Sequence, residues 1–436
     1  MTTFYNVLTT INNVLLIFIS VAFIYQILYI LLCWLPYKNF KKSKKKYRFA
    51  VIICARNEEL VIKDTIKCIQ KQNYPTDKFE IFVFAHNCTD ATAKIAKEAG
   101  AKVYEINDND PAHARAAYAL KGGIEQLLKE YPDSFDAFVR FDADNVVHPD
   151  YLSKMNDAYA AGYQMARGKN ASKNLTQNVF TGISGLWYLR DNRFSAHTRK
   201  AFKINQLLAG SGMMFSTNII KADGGWTALG LIEDNEFGVK HLYKGYKSTY
   251  VRDAIVYDDQ PSTLKDTFNR LVRLGKGSWN LFWSDGLKCL GKFFCTFNLS
   301  YLDVFFTLLF IPIAVLCCTW IPFYYVYDFS WTLAIGDMAH MQVFLKFLLI
   351  ALIFFFIVPF ILQAILIIVL ERKTIGKENI KKLWKPVLAF PFFMIIYAIA
   401  IFVGAVSKPK WKAITRNKTQ YVDVVIEEQA QKEQKE

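Results

Sequence analysis

Two acidic residues separated by a single alanine form the stretch of this sequence with the clearest chemical potential. The run Val139–Asn145 reads VRFDADN, so an apolar segment ends in Asp142 and Asp144. Two like charges this close raise the free-energy cost of ionising each carboxylate. Mg²⁺ or Mn²⁺ would relieve that repulsion, because these ions prefer oxygen ligands and often complete their shells with phosphate oxygens. The pair therefore predicts a metal site, and the alternative is that both acids are turn or cap residues.

Polar residues also follow two strand-like segments nearer the start of the chain. The run RFAVIICA ends at Ala55 and precedes Arg56 and Glu58, and the run KFEIFVFA precedes His86 and Asn87. In open α/β sheets, ligands bind beyond the carboxyl ends of the strands. We therefore expect these side chains to share one site with the acidic pair.

Helical periods alternate with these strands, which predicts a mainly parallel sheet that is covered by helices on both faces. Helical periods run over Glu58–Gln70 and Ala112–Lys129. Thr89 is predicted to cap a helix, Pro149 suits the first turn of another, and Glu233-Asp234 is predicted to begin a third.

Four long uncharged runs predict a multi-spanning membrane protein. The chain is 53% hydrophobic although its formal net charge is +15. Each run approaches the roughly 20 apolar residues that a helix needs to cross a bilayer. The runs are Val14–Leu35, Thr307–Tyr325, Phe347–Leu370 and Val387–Val406. Pro391 interrupts the last run and basic residues flank both of its ends, so it either crosses the membrane or dips in and returns.

Basic residues predict the orientation of the chain. Seven lysines and arginines crowd the segment 38–48, and none precedes the first run. The positive-inside rule then places the segment after Lys38 in the cytoplasm, which indicates a plasma-membrane protein with a cytoplasmic soluble domain. Much of the charge would face lipid headgroups. The soluble part has no basic stripe interleaved with stacking aromatics, so nucleic acid is not expected as a partner.

These patterns divide the chain into five predicted parts. They are an N-terminal transmembrane helix (1–37), a soluble domain (47–262), an amphipathic segment at the membrane interface (263–298), further transmembrane helices (299–407) and a polar tail (408–436). The eight cysteines form no CxxC pair, so neither a zinc site nor a disulfide framework is expected.

The order of several short motifs resembles the family 2 glycosyltransferases, specifically their membrane-embedded branch of polysaccharide synthases. The motifs are VIICARNEE, HNCTDATAKIAKEAGA, FDADN, AGSGMMFS, GGWTALGLIEDNEFG and YDDQPSTLKDTFNRLVRLGKG. The resemblance implies a cytoplasmic GT-A domain joined to a transmembrane bundle. It implies an inverting, metal-dependent transfer of a sugar from a nucleotide diphosphate, with a UDP-sugar as the expected donor, to a growing polysaccharide.

The resemblance also implies roles for individual residues. Asp142 and Asp144 match the carboxylates that bind the metal and the diphosphate, with Asp144 the more direct metal ligand. Asp234 matches the general base, and Arg273 matches an arginine that pairs with the diphosphate. The other implied donor-binding residues are Ala55, Arg56, Glu58, Asn87 and Arg115. The implied acceptor-side residues are Glu233, Trp226 and Leu274, and for Trp226 a place in the core is the open alternative.

Four positions depart from the family pattern. Leu274 replaces the tryptophan beside the acceptor, Arg270 replaces the glutamine of the same motif, and His86 replaces an aspartate near the nucleotide base. Ala116 stands where a lysine is expected, and the charge of Arg115 is a candidate replacement. Two further hypotheses stay open for that reason. The first is that the acceptor is a lipid, such as a polyprenyl phosphate or a glycerolipid. The second is that the chain is an inactive relative that acts as a scaffold. With few spans predicted, polysaccharide-export or synthase partners are also expected.

Overall fold

The computed structural model describes residues 2–208 and 210–407, and the predicted polar tail lies outside them. The described chain forms two compact units. A helical unit is built from the segments 2–34, 176–194 and 262–407, and an α/β unit is built from 35–175 and 195–261. Segment 176–194 thus belongs to the helical unit, although it lies inside the predicted soluble domain.

One eight-stranded mixed sheet forms the centre of the α/β unit, with the strand order β3-β2-β1-β4-β7-β6-β8-β5. The strands are β1 (Phe49–Ala55), β2 (Phe79–His86), β3 (Lys102–Ile106), β4 (Ala137–Asp142), β5 (Val146–Val147), β6 (Met165–Ser172), β7 (Met213–Ser216) and β8 (Ser248–Asp258). Strands β3, β2, β1 and β4 are parallel, as predicted. Strand β7 runs antiparallel between β4 and β6, so the second half of the sheet is mixed.

Alternation along β1 explains why helices cover both faces of the sheet. Phe49, Val51 and Ile53 pack into one core cluster, whereas Ala50 and Ile52 pack into the other. Successive residues of a strand point to opposite faces, so an almost uninterrupted apolar strand must be buried on both. The carboxyl ends of the parallel strands consequently remain the edge where polar side chains gather.

Seven helices belong to the α/β unit among the described residues. They are α2 (Ile62–Gln70), α3 (Thr92–Glu98), α4 (Ala116–Glu130), α5 (Tyr151–Ala160), α7 (His197–Ala201), α8 (Thr217–Ala222) and α9 (Glu233–Tyr243). The predicted start of α9 is confirmed. The prediction that Thr89 caps α3 is wrong, because Ala91 holds the N-cap position and the Asp90 carboxylate accepts the N–H of Thr92 at 3.0 Å.

The helical unit contains the remaining described helices. They are α1 (Thr2–Leu32), α6 (Val179–Arg190), α10 (Leu264–Leu281), α11 (Leu287–Thr296), α12 (Leu299–Ile335), α13 (Met338–Ile350), α14 (Val358–Leu370), α15 (Arg372–Ile375), α16 (Lys377–Ile380) and α17 (Trp384–Val406). Helical spans long and apolar enough to cross a membrane are Thr3–Leu32, Leu299–Ile335, Met338–Leu370 and Lys377–Val406. Each overlaps one predicted run, so these spans are compatible with membrane association.

Two glycines let α10 pack closely against α17. A Cβ atom at Gly275 would meet the Cα of Ile401 at 2.8 Å, and one at Gly404 would clash with the backbone of α10. The Lys276 ammonium donates to the carbonyl of Ala405 at 3.0 Å and so satisfies an acceptor at the end of α17. The predicted amphipathic segment is therefore anchored on the last apolar helix.

Candidate active site

The turn after β4 is held by a compact hydrogen-bond network. The N–H of Asp142 donates to Asn145 Oδ1 at 2.9 Å and to Ser211 Oγ at 3.0 Å. Ser211 in turn donates to the same Asn145 oxygen, and the N–H of Asn145 returns to the carbonyl of Asp142 at 3.2 Å. Asn145 is completely buried. The network fixes the backbone that carries both acids of the D-x-D pair.

Arg140, two residues before Asp142, joins this turn to the start of α9. Its guanidinium lies 3.4 Å from Asp142 Oδ1 and 3.0 Å from Glu233 Oε1, and its side chain is only 5% exposed. Burial alone lowers the pKa of Arg140, but the carboxylates of Glu233 and Asp142 outweigh it, so the pKa is raised overall. The arginine is thus a permanent charge that draws two acidic segments together.

Asp234 is held at the first turn of α9. Its Oδ2 accepts the N–H of Gly210, and its Oδ1 accepts the N–H of Asn235 at 2.8 Å. An acidic residue in the first turn stabilises a helix by about 0.3–1 kcal/mol through the helix dipole. Because Asp234 follows the residue that Arg140 binds, the predicted general base and the D-x-D pair belong to one constellation.

Cys54 lies beside Asp142 in the register of β1 with β4. Burial raises the pKa of its thiol to about 12, although Arg140 acts in the opposite direction. Only the thiolate is a strong nucleophile. Cys54 is therefore a neutral group packed against the core, and it is not expected to act as a nucleophile.

Lys173 holds the backbone of Asp144 through a hydrogen bond. Its ammonium donates to the backbone carbonyl of Asp144 at 2.7 Å and lies 4.0 Å from Asp259 Oδ2, with a side chain that is 3% exposed. Asn145 Nδ2 also donates to Asp258 Oδ1 at 3.4 Å. The end of β8 thereby fixes the position of the D-x-D turn.

The acidic pair fits a divalent cation that is shared with a phosphate ligand. The Asp142 side chain is 39% exposed, so a ligand can reach it, whereas Asp144 is nearly buried. Residues 2–208 and 210–407 contain no group of three His, Cys, Asp or Glu side chains arranged to hold a metal ion. Mg²⁺ is commonly bound through one or two carboxylates plus substrate phosphates. The donor set fits that arrangement rather than a cage made of protein alone.

Two asparagines with left-handed backbones tie together the loops after β1, β2 and β3. Asn57 (φ 55°) exchanges hydrogen bonds of 2.8 and 3.1 Å with Thr89. Asn87 (φ 50°) exchanges two bonds of 2.7 Å with the backbone of Asp108. Asparagine tolerates this conformation better than other side chains. Asn87 therefore shapes the loop in which it was predicted to bind the donor.

The other predicted donor-binding residues occupy the same edge of the sheet. Ala55 ends β1 and is 3% exposed, and Arg56 follows it directly. The N–H of Glu58 donates to Thr92 Oγ1 at 2.8 Å. Arg115 precedes α4, where its Nε donates to the carbonyl of Ala112 at 3.1 Å. Their donor contacts stay predictions.

Trp226 occupies the core of the α/β unit. It is 2% exposed, its ring stacks on Phe237 at 4.5 Å, and its Nε1 donates to the carbonyl of Ala228 at 2.7 Å. This placement matches the core alternative rather than a sugar platform. Arg273 and Leu274 lie on α10 in the helical unit, and their predicted contacts with diphosphate and acceptor stay predictions.

Four residues of this constellation were not predicted as site residues: Arg140, Asn145, Lys173 and Ser211. A signal existed for Arg140, since it is a charge in the middle of an otherwise apolar strand. A buried charge needs a partner, and the nearest acid is two residues away. Lys173 and Ser211 lie far along the chain from Asp144, so only the fold shows their proximity.

Replacing Lys173 by methionine is expected to raise the Mn²⁺ concentration needed for half-maximal activity by roughly tenfold, since a charge-assisted hydrogen bond contributes about 1.5–3 kcal/mol. Without this hydrogen bond, the backbone of Asp144 would no longer be held in position. The Mn²⁺ concentration for half-maximal activity is measured by titrating the reaction with Mn²⁺, and Lys173→Arg is the variant that keeps the charge. An unchanged metal dependence in Lys173→Met would contradict this role.

His86 is expected to make the stability of the α/β unit depend on pH. Burial lowers the pKa of His86, and Arg56 and His113 lower it further against the opposing effect of Asp108. The unfolded chain binds the proton near pH 6.5, roughly, and the folded chain only at lower pH. The contribution of His86 to the free energy of unfolding is therefore fully present above about pH 6.5, and it decreases as the pH falls below that value. Thermal unfolding should show a shallower decrease for His86→Asn than for the wild type, and equal slopes would contradict this expectation.

Comparison with known proteins shows the family of the chain. Residues 47–277 match the family described as "Glycosyltransferase like family 2". The "Probable glycosyltransferase YdaM" of Bacillus subtilis (strain 168) is 30% identical over 276 residues, which are 59% of this chain and 62% of that protein. The "Probable glucomannan 4-beta-mannosyltransferase 3" of Oryza sativa subsp. japonica is 25% identical over 249 residues, which are 54% of this chain and 43% of that protein. The chain thus spans less than two thirds of either relative.

Among solved structures, the mannosyltransferase PcManGT from Pyrobaculum calidifontis in complex with GDP-Man and Mn²⁺ matches with a TM-score of 0.57 at 14% identity. The match covers 92% of this chain and 99% of that one, and it shows that the fold is of the GT-A type. The family match covers more than half of the chain. The chain is therefore a member of the family 2 glycosyltransferases, with a GT-A domain and a helical region.

Proposed function

We propose that the protein is an inverting, metal-dependent glycosyltransferase that uses a nucleotide-diphosphate sugar. The observation that carries the proposal is the buried Arg140, which binds Asp142 and Glu233 at once. It joins an acidic pair suited to a cation and a diphosphate to the helix start that presents Asp234. An inverting displacement requires both groups in one site.

Asp234 would act as the general base. Its carboxylate would take the proton of the acceptor hydroxyl while that oxygen attacks the anomeric carbon and the nucleotide diphosphate leaves. Glu233 would orient this end of α9 through Arg140. Asp142 and Asp144 would hold Mg²⁺ or Mn²⁺, which when bound neutralises charge on the leaving diphosphate. Arg273 and Arg115 are proposed as further diphosphate contacts, since a guanidinium can bind two phosphate oxygens.

A UDP-sugar is the expected donor, and GDP-sugars are included because PcManGT was solved with GDP-Man and Mn²⁺. The proposed location is the plasma membrane with the α/β unit in the cytoplasm. The four apolar helices and the basic segment 38–48 support it. Polysaccharide-export or synthase proteins are the proposed partners.

A growing polysaccharide is the first proposed acceptor, in line with the name of the glucomannan mannosyltransferase relative. A lipid acceptor is the second candidate, because Leu274 replaces the tryptophan expected beside a growing chain.

Membranes containing the full chain would be offered a panel of radiolabelled nucleotide-sugars with Mn²⁺ or Mg²⁺. Label in an ethanol-precipitable polymer would support the first acceptor, and label in the organic phase would support the second. If the purified protein releases no nucleotide diphosphate from any donor and leaves both fractions unlabelled, the chain is the inactive scaffold and the proposal is wrong.

A further inference from the structure

A charged side chain lies among the apolar helices of the helical unit. Arg190 ends α6, and its guanidinium is placed between α1 and α14. Its Nε donates to Gln363 Oε1 at 2.8 Å, and its Nη2 donates to Gln26 Oε1 at 3.1 Å. The Trp187 ring lies 4.8 Å from the guanidinium carbon. Three helices therefore meet at one cation.

The two glutamines that contact this cation lie on helices long and apolar enough to cross a membrane. Gln26 and Gln363 belong to the spans Thr3–Leu32 and Met338–Leu370. Their neighbours Ile27 and Leu362 are 54% and 59% exposed, and Arg190 itself is half-buried. Arg190 belongs to α6, which is not one of these spans, but a charge placed against apolar helices is costly, and such charges commonly mark ligand sites.

The polar groups at this position are suited to an anion. A guanidinium has five N–H donors, and within residues 2–208 and 210–407 two of those of Arg190, Nε–H and one Nη2–H, donate to the two amide oxygens. Because both glutamine oxygens accept from Arg190, each glutamine also presents its NH₂ group as a donor. The two glutamine partners are neutral, and Asp191 acts on Arg190 through its charge.

A phosphate group matches this set of donors best. Its oxygens can take two parallel hydrogen bonds from a guanidinium and further ones from the amides. Basic pockets between membrane helices bind lipid headgroups for the same reason. We propose that Arg190, Gln26 and Gln363 form a binding site for the phosphate group of a membrane lipid. All three residues belong to the helical unit, so binding at this site can be measured without the proposed transfer reaction.

Binding of farnesyl phosphate to the full-length protein in detergent tests the proposal, with farnesol as the uncharged match. The wild type is expected to bind the phosphate at least about tenfold more tightly than the alcohol, as charged hydrogen bonds allow. Arg190→Gln should reduce this preference to less than about twofold, and Arg190→Lys should retain part of it, because lysine keeps the charge without the fork.

Lys292→Gln, which removes an exposed cation from α11, is the matched control and should keep the full preference. Thermal unfolding of every variant shows whether its fold is intact. Competition by a short-chain phosphatidylglycerol would support a general phospholipid site, and competition by phosphate monoesters alone would support a polyprenyl phosphate site. Equal binding of farnesol and farnesyl phosphate by the wild type, or an unchanged preference in a folded Arg190→Gln variant, would overturn the proposal.

Discussion

Asp234→Asn is expected to lower kcat by about 10²–10⁴-fold, which is the usual contribution of a positioned general base. The amide keeps the shape of the side chain but has a single oxygen, so one of the N–H groups of Gly210 and Asn235 keeps its acceptor and the other loses it. The amide also cannot take the proton of the acceptor hydroxyl. The KM for the donor should change by less than about threefold, since uniform donor binding is retained. Steady-state kinetics with saturating Mn²⁺ measure both values.

Asp253→Asn is the matched control for this change. Asp253 lies on β8, its side chain is 36% exposed, and it pairs with the neighbouring Arg252 at 3.2 Å. Such surface pairs contribute roughly 0–1 kcal/mol, so both kinetic constants should stay near those of the wild type. Full turnover by Asp234→Asn would show that another group removes the acceptor proton.

Arg140→Met is expected to reduce stability and activity together. The change leaves Glu233, whose side chain is 12% exposed, beside an apolar side chain, whereas Asp142 is 39% exposed and keeps its contact with solvent. Removing one partner of a buried ion pair costs about 3–5 kcal/mol, because the remaining charge is no longer compensated. The Tm should fall clearly, and donor turnover should decrease by more than roughly 100-fold because the two acidic segments lose their link.

Two further variants separate the causes of that decrease. Arg140→Lys keeps the charge but can make fewer directed hydrogen bonds, so it should restore much of the stability and less of the activity. Arg252→Met removes an arginine that is 35% exposed and should change neither value much. If Arg140→Met unfolds at the wild-type Tm and turns over donor normally, Arg140 does not organise the site.

The sequence allowed prediction of the residue types in the site but not of the contacts that join them. Asp142, Asp144 and Asp234 were predicted from motifs, and the alternation of strands and helices predicted the sheet edge where Asp142 and Asp144 lie. The link through Arg140 depends on a contact with Glu233, which lies on a separate element. Such long-range partners leave no local periodicity in a sequence.

Local signals also failed where tertiary packing decided the outcome. A tryptophan after two glycines could stack on an acceptor sugar or pack in the hydrophobic core. The stacking of Trp226 on Phe237 favours a place in the core. Helix α6 looks like part of the soluble domain by position, yet it packs through Trp187 against Tyr397 of α17 at 4.8 Å. The antiparallel β7 was not foreseen, because pairing direction depends on the path of the connections rather than on strand composition.

The central claim is that the acidic pair binds a divalent ion together with a diphosphate. Its most direct test is calorimetric titration of the wild type and of Asp144→Asn with a nucleotide diphosphate, in the presence and in the absence of Mn²⁺. The account predicts that the wild type binds the nucleotide diphosphate at least about tenfold more tightly with the ion, because the ion links the carboxylates to phosphate oxygens. Asp144→Asn should lose that gain. Binding of neither ligand by the wild type at saturating concentrations, or an equal gain in both proteins, would contradict the account.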